Sequence, residues 1–226
     1  VLPFVFTSCS DDDKDEDDIS LGKKEYKMNF GDKVQIEATS TLDITYKTED
    51  DFIATVSDKG LITGGRVGET EISLSNTKDT KKVSVIIEPK AELYPEPEFL
   101  FGETKANIIK KLGKPMNESG KTIIYDNNSS KVPYIIYLFD GTSDNSKLEG
   151  LSVIVNSSYS KELGAHLAER YLMVEGDDDI ILVGFNSNTA EKATMAIGVE
   201  LYENALWMVM YMPYSKSAKR SMPQIE

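Results

Sequence analysis

The sequence predicts an all-β sandwich over residues 20–90, followed by an α+β domain over 99–226 in which a tandem αβββ repeat forms one antiparallel sheet with its helices on one face. Three observations predict it. Short runs of alternating apolar and polar residues crowd the first part of the chain. Pro89, Pro95 and Pro97 then punctuate a short connecting segment, and beyond it the order helix, strand, strand, strand occurs twice. A chain of 226 residues, 40% of them hydrophobic, is long enough for two domains with separate cores.

The front of the chain, Val1-Leu2-Pro3-Phe4-Val5-Phe6-Thr7-Ser8, is apolar and ends in two small residues ahead of Cys9, the only cysteine. It resembles the end of a bacterial signal peptide closed by a lipobox. Phe6 stands where leucine is usual, and the starting methionine and basic segment are lacking, so the sequence reads as shortened at its front. The resemblance implies that Cys9 is the lipidated first residue of the mature protein, held at the membrane by that anchor. The acidic run that follows, Asp11, Asp12, Asp13, Asp15 and Glu16 and on to Asp18, resembles the export signal of surface lipoproteins of Bacteroidota. That resemblance implies an outer-membrane protein facing outward.

Formal charge is −13, and residues 1–18 hold six Asp, one Glu and one Lys, or −6, which leaves −7 for the rest. Residues 10–19 read as a self-repelling acidic tether; fully stretched, Ser10 to Asp18 reaches at most roughly 30 Å. A lone cysteine cannot form an internal disulfide, so packing must supply the stability. No stretch is long enough to span a membrane as a helix. An acidic body without a basic cluster excludes nucleic acid as the expected partner.

In the first domain Val34, Ile36 and Ala38 alternate with Lys33, Gln35 and Glu37. The same period returns at Ile44 and Tyr46, at Ile72 and Leu74, and at Val83, Val85 and Ile87. Asp58-Lys59-Gly60 reads as a tight hairpin with glycine at the position needing positive φ. Ile53-Ala54-Thr55-Val56-Ser57-Asp58-Lys59-Gly60-Leu61-Ile62-Thr63, then Val67-Gly68-Glu69-Thr70-Glu71-Ile72, with the strand Val83 to Ile87, resemble the bacterial Ig-like domain, group 2 (BIG2). Tyr46 stands where tryptophan is frequent, and Thr48 to Phe52 is more acidic than usual. The resemblance implies an Ig-like sandwich serving as a spacer or adhesion module. Tyr26, Tyr46 and Phe52 are expected in its core.

Residues 91–98 read as a stiff proline-rich linker. Beyond it, Glu103 to Leu112 reads as a helix stopped by Gly113 and Pro115, followed by strands at Lys121 to Asp126, Val132 to Phe139 and Leu148 to Val155. The second unit opens with Ser160 as a helix cap and the stripe Leu163, Leu167, Tyr171 and Val174, followed by strands at Ile180 to Phe185, Lys192 to Tyr202 and Leu206 to Tyr214. Lys111-Leu112-Gly113-Lys114-Pro115 with the hairpins behind it resembles the repeat of small inhibitor and outer-membrane assembly lipoproteins of the β-lactamase-inhibitor-like fold.

The search for chemistry ends in a non-enzyme reading. With one histidine and one cysteine the sequence offers no Cys-His pair and no protein-only zinc set, and phosphate-binding glycine loops are absent, so no cofactor, metal or catalytic residue is expected. His166 is expected as a partly exposed boundary residue rather than part of a Ser-His-Asp set. Glu175 with Asp177, Asp178 and Asp179 reads as a solvated turn, lacking the spacing of a calcium loop. Two strands are apolar on both sides, Tyr134 to Phe139 and Leu206 to Met212, so one sheet face is left over once the helices cover the other. The expected binding face is that leftover side, carrying Trp207, Tyr211, Tyr137 and Phe139 for an unknown protein or glycan ligand. Competing readings are an enzyme inhibitor or assembly factor, and a carboxylate-dependent glycosidase, which needs only two Asp or Glu.

Overall fold

In the computed structural model, which describes residues 17–176, 180–202 and 205–214, the chain is mostly β with two short helices. Its first part contains β1 (Ser20–Leu21), β2 (Glu25–Asn29), β3 (Lys33–Gln35), β4 (Ala38–Thr39), β5 (Thr45–Thr48), β6 (Ala54–Val56), β7 (Leu61–Gly64), β8 (Gly68–Ser75) and β9 (Thr80–Glu88). A four-stranded sheet in the order β2-β9-β8-β5 faces a three-stranded one, β3-β7-β6, with β1 and β4 paired beside them. The alternation decides which side chains point inward: Ile72 and Leu74 of β8, Val83, Val85 and Ile87 of β9, and Ile62 of β7 are buried together in an Ig-like sandwich. β2 runs parallel to β9, with Tyr26 opposite Val85 and Met28 opposite Ile87. The hairpin between β6 and β7 turns at Gly60, where φ is +77° and the N–H donates to the Ser57 carbonyl at 2.9 Å. A side chain there would strain the backbone and strike the Tyr46 ring.

The sandwich begins earlier than the predicted residue 20. Ile19 is buried in its core, and the Asp17 carbonyl accepts from the Asn76 side chain at 2.7 Å and from Ser40 Oγ at 3.1 Å. The end of the acidic stretch therefore belongs to the folded body. Cys9, Asp11, Asp12, Asp13, Asp15 and Glu16 lie outside the described residues, as do Asp177 to Asp179.

The second part contains α1 (Lys105–Leu112), β10 (Asn117–Ser119), β11 (Thr122–Asp126), β12 (Tyr134–Phe139), β13 (Leu148–Asn156), α2 (Ser160–Ala168), β14 (Leu172–Glu175), β15 (Leu182–Phe185), β16 (Met195–Tyr202) and β17 (Leu206–Pro213). Eight strands form one antiparallel sheet in the order β10-β11-β12-β13-β17-β16-β15-β14. Each run of strands starts at an edge and ends at the centre, where β13 meets β17 with Val153 opposite Val209. Ile108 of α1 and Leu163 and Leu167 of α2 share a core with Tyr137, Val153, Ile197 and Tyr211, so both helices lie on one face.

The expected three strands per unit become four. β10 was hidden in a polar stretch, Asn117-Glu118-Ser119, whose pairing to β11 is set by the turn at Gly120. β14 occupies the stretch expected to end the second helix. That helix stops at Ala168, and Val174, placed on its stripe, is instead an exposed strand residue opposite Val183. Ser160 is the first helical residue rather than the cap; Tyr159 holds that position and makes no side-chain capping bond. Thr104 does cap α1, its hydroxyl accepting from the Asn107 N–H at 3.2 Å.

Candidate functional site

The four side chains expected on an open face are on the helix side of the sheet. Tyr211 and Phe139 are 0% exposed and Tyr137 is 3% exposed, all in the core beneath the helices. Trp207 is half-buried at the margin of the same core and donates from Nε1 to Ser160 Oγ at 2.8 Å, covering the start of α2. Register is the reason: Tyr137 stands opposite Leu151, and Leu151 opposite Tyr211, so all three point to one side. The expectation that these residues form a contact surface is corrected. The other face is led by Ile154, Met208 and Met210, a small apolar cluster with Ile136 and Leu206 packed on it and Tyr134 exposed nearby.

The densest polar arrangement lies where the proline-rich segment meets the end of α2. This segment is a docked strap rather than a free connector. Tyr94 is buried, its hydroxyl 2.7 Å from that of Tyr211, and its ring centroid is 4.2 Å from that of His166. The Leu93 N–H donates to His166 Nδ1 at 3.3 Å, and Arg170 donates to the Ala91 carbonyl at 3.0 Å. Glu169 extends the grip: its Oε2 accepts from the N–H groups of Lys90 and Ala91, both at 2.9 Å.

Glu96 is the acid of this cluster. Its Oε2 accepts from the Tyr171 hydroxyl at 2.5 Å, and its Oε1 lies 3.3 Å from both His166 Nε2 and Arg170 Nε. Neither of those two nitrogens has a hydrogen bond of good geometry, so the attraction is Coulombic. His166 is 0% exposed, against the expected boundary position, because the strap roofs it. Burial drives the hydroxyls of Tyr94, Tyr171 and Tyr211 well above their ordinary ionisation range, and Glu96 adds to the shift at each. All three are neutral donors at any physiological pH. Both imidazole nitrogens face the strap, which leaves neither turned toward a serine hydroxyl in the manner of a catalytic triad.

The sandwich reaches the same place from the other side. Gly64 and Gly65 sit against the backbone of Asn29 and Phe52; a Cβ on Gly65 would fall 2.4 Å from the Phe52 carbonyl oxygen. That tight approach presents the next two residues to α2. The Val67 N–H donates to the Glu169 carbonyl at 2.8 Å, and Arg66 Nε donates to the Tyr171 carbonyl at 3.2 Å. Carbonyls left over at a helix end are thereby satisfied by the first half. Arg66 is held by the rings of Phe30 and Phe52, at 5.1 and 5.7 Å from its guanidinium carbon. Asn188 Nδ2 adds a bond to Asp51 Oδ1 at 3.0 Å.

Sequence reasoning missed Glu96, Glu169, Arg170 and Arg66. A signal existed in His166-Leu-Ala-Glu169-Arg170-Tyr171, which sets three polar side chains at one helix end, but their partners come from a segment more than seventy residues away in sequence. Among the described residues no cluster of His, Cys, Asp and Glu is arranged to hold a metal ion, and no helix is long and apolar enough to cross a membrane.

No protein-family model and no curated protein matches the chain. Among solved structures it is similar to a bacterial Ig-like domain-containing GH10 xylanase from termite gut, at 18% identity and a TM-score of 0.27 over 38% of this chain and 23% of that one. It is similar to the extracellular cadherin domains 1–5 of protocadherin gamma B2 at 11% identity and a TM-score of 0.28, over 86% of this chain and 38% of that one. Human protocadherin-24 EC1-2 is similar at 11% identity and a TM-score of 0.25, over 84% and 90% of the two chains. The chain thus spans less than a quarter of the xylanase's length.

Proposed function

We propose that the chain is a lipid-anchored outer-membrane protein facing outward, in which a group 2 bacterial Ig-like spacer displays a non-catalytic α+β domain that binds a protein or glycan. The observation that carries the spacer role is the joint. The sandwich encloses a core of its own and turns its Gly64–Val67 loop onto the main chain at the end of α2, so the surface it offers there serves as a mount. The sequence around Cys9 supports the anchor, and the acidic run Asp11 to Glu16 supports outward export. For the ligand, the sheet face bearing Ile136 and Tyr134 replaces the buried aromatics as the surface to probe.

Metabolic labelling with palmitate tests the anchor: the intact chain should incorporate label and Cys9→Ser should not. Protease added to intact cells tests the orientation, with release of the body expected; full protection would place it on the inner side of the membrane.

A second reading, an enzyme inhibitor or assembly factor, is supported by the pairing of two αββββ units in one sheet through β13 and β17. It predicts stoichiometric loss of a target's activity instead of saturable surface binding. A glycosidase would instead require two carboxylates facing a shared space. Glu96 is the one most deeply engaged here, and its oxygens are taken by Tyr171, His166 and Arg170.

A further inference from the structure

We propose that Glu96, His166 and Arg170 form an acid-released latch that holds the strap 90–97 against α2. His166 Nδ1 accepts the Leu93 N–H, which requires a lone pair there, so the proton of the neutral ring sits on Nε2, the nitrogen 3.3 Å from the Glu96 carboxylate. The latched state is therefore built for the neutral tautomer.

A second proton on the ring goes to Nδ1. It removes the only acceptor of the Leu93 N–H in this arrangement and sets two N–H groups face to face. Burial makes the step worse. Glu96 carries one negative charge that already faces Arg170 at the same 3.3 Å as His166, and the other neighbours, Tyr94, Tyr171 and Tyr211, are neutral hydroxyls. Glu169, the remaining carboxylate at this helix end, is engaged by the Lys90 and Ala91 N–H groups. Protonation would place a charged ring, with its new N–H unpaired, on a side chain that is 0% exposed. Opening the strap relieves both problems, since it brings the ring to water and frees Leu93.

A proton on Glu96 acts in the same direction. Protonating Glu96 would remove the charge facing Arg170, whose Nε is buried without another partner. Both protonations therefore favour release of the strap.

The intact chain carries a single histidine, so its imidazole proton signal in NMR is unambiguous. Hydrogen exchange of the Leu93 amide, corrected for the intrinsic effect of pH, reads the strap, and the Val153 amide in β13 reports whether the core stays folded. Protection at Leu93 should fall at least tenfold between pH 7.5 and 5, along the same curve as the imidazole titration, with Val153 unchanged. In His166→Gln, where an amide oxygen can accept from Leu93 and the amide nitrogen can donate to Glu96, protection should persist at pH 5. The proposal is overturned if the imidazole titrates while Leu93 stays protected, if it remains neutral down to pH 5, or if a folded His166→Gln releases the strap as the wild type does. Should the variant fail to fold, shown by loss of Val153 protection, the two wild-type curves decide alone.

Discussion

The two cores of this chain are assembled differently. The sandwich closes over Ile62, Ile72, Leu74, Val85 and their neighbours, and its one deeply buried tyrosine, Tyr26, meets its hydroxyl partner, the Glu37 N–H, at the margin. The core beneath α1 and α2 holds Tyr94, Tyr171 and Tyr211 in contact with a carboxylate and a histidine supplied partly by the strap. Apolar burial specifies the first by pattern alone. The second needs each polar group to find its partner, and one of those partners belongs to a segment outside the sheet.

That difference can be broken first at Tyr211. It is among the largest fully buried side chains, and Tyr211→Ala should cost about 3–5 kcal/mol by chemical denaturation, with exchange protection lost in β13 and β17 before β8 and β9. Alkaline titration separates the cores without mutation. Each tyrosine with a raised folded-state pKa binds its proton more tightly folded than unfolded, so its stabilisation is complete below about pH 10 and is lost as pH rises above that. With Tyr125 and Tyr137 also raised in the second half, against Tyr46 in the sandwich, the second half should unfold the more steeply above about pH 10, by circular dichroism and tyrosinate absorbance.

Removing one hydroxyl is a finer cut. Tyr94→Phe leaves the Tyr211 hydroxyl unpartnered in a dry site and should cost about 1–3 kcal/mol, whereas Tyr26→Phe, at a margin where water can replace the bond, should cost about 1 kcal/mol or less. The smallest effect is expected on the sandwich surface. Lys82 pairs with Glu49 and Glu71 at 2.6 Å, each side chain about half exposed, and Lys82→Ala should leave the melting temperature unchanged within error at physiological salt.

How far the sequence could be read follows the same division. Alternation located β8 and β9 with their inward faces, and Asp58-Lys59-Gly60 located the hairpin, because those features depend on neighbours in sequence. In the second half the central strands were visible as apolar runs. Their facing was not, since Tyr134 to Phe139 and Leu206 to Met212 are apolar at both parities and only the pairing Leu151 to Tyr211 decides which aromatics go inside. The strap was the least legible part. Proline density is shared by free connectors and docked segments; what docks this one is Tyr94 meeting Tyr211 and Glu96 meeting His166, contacts across 117 and 70 positions. The run His166-Leu-Ala-Glu169-Arg170 groups the helix-end side chains in sequence, but only tertiary structure brings Glu96 to them.

The most direct test of the account is whether the two halves move as one body at neutral pH. Residual dipolar couplings can be measured on the intact chain at pH 7.5 in a single alignment medium. The account predicts that amides of β8 and β9 and amides of β13 and β17 fit one common alignment tensor, because Val67 and Arg66 bind the end of α2 while Glu169 and Glu96 hold the strap. Two tensors of clearly different size or orientation would mean that the halves pivot freely about residues 90–97 and would contradict it.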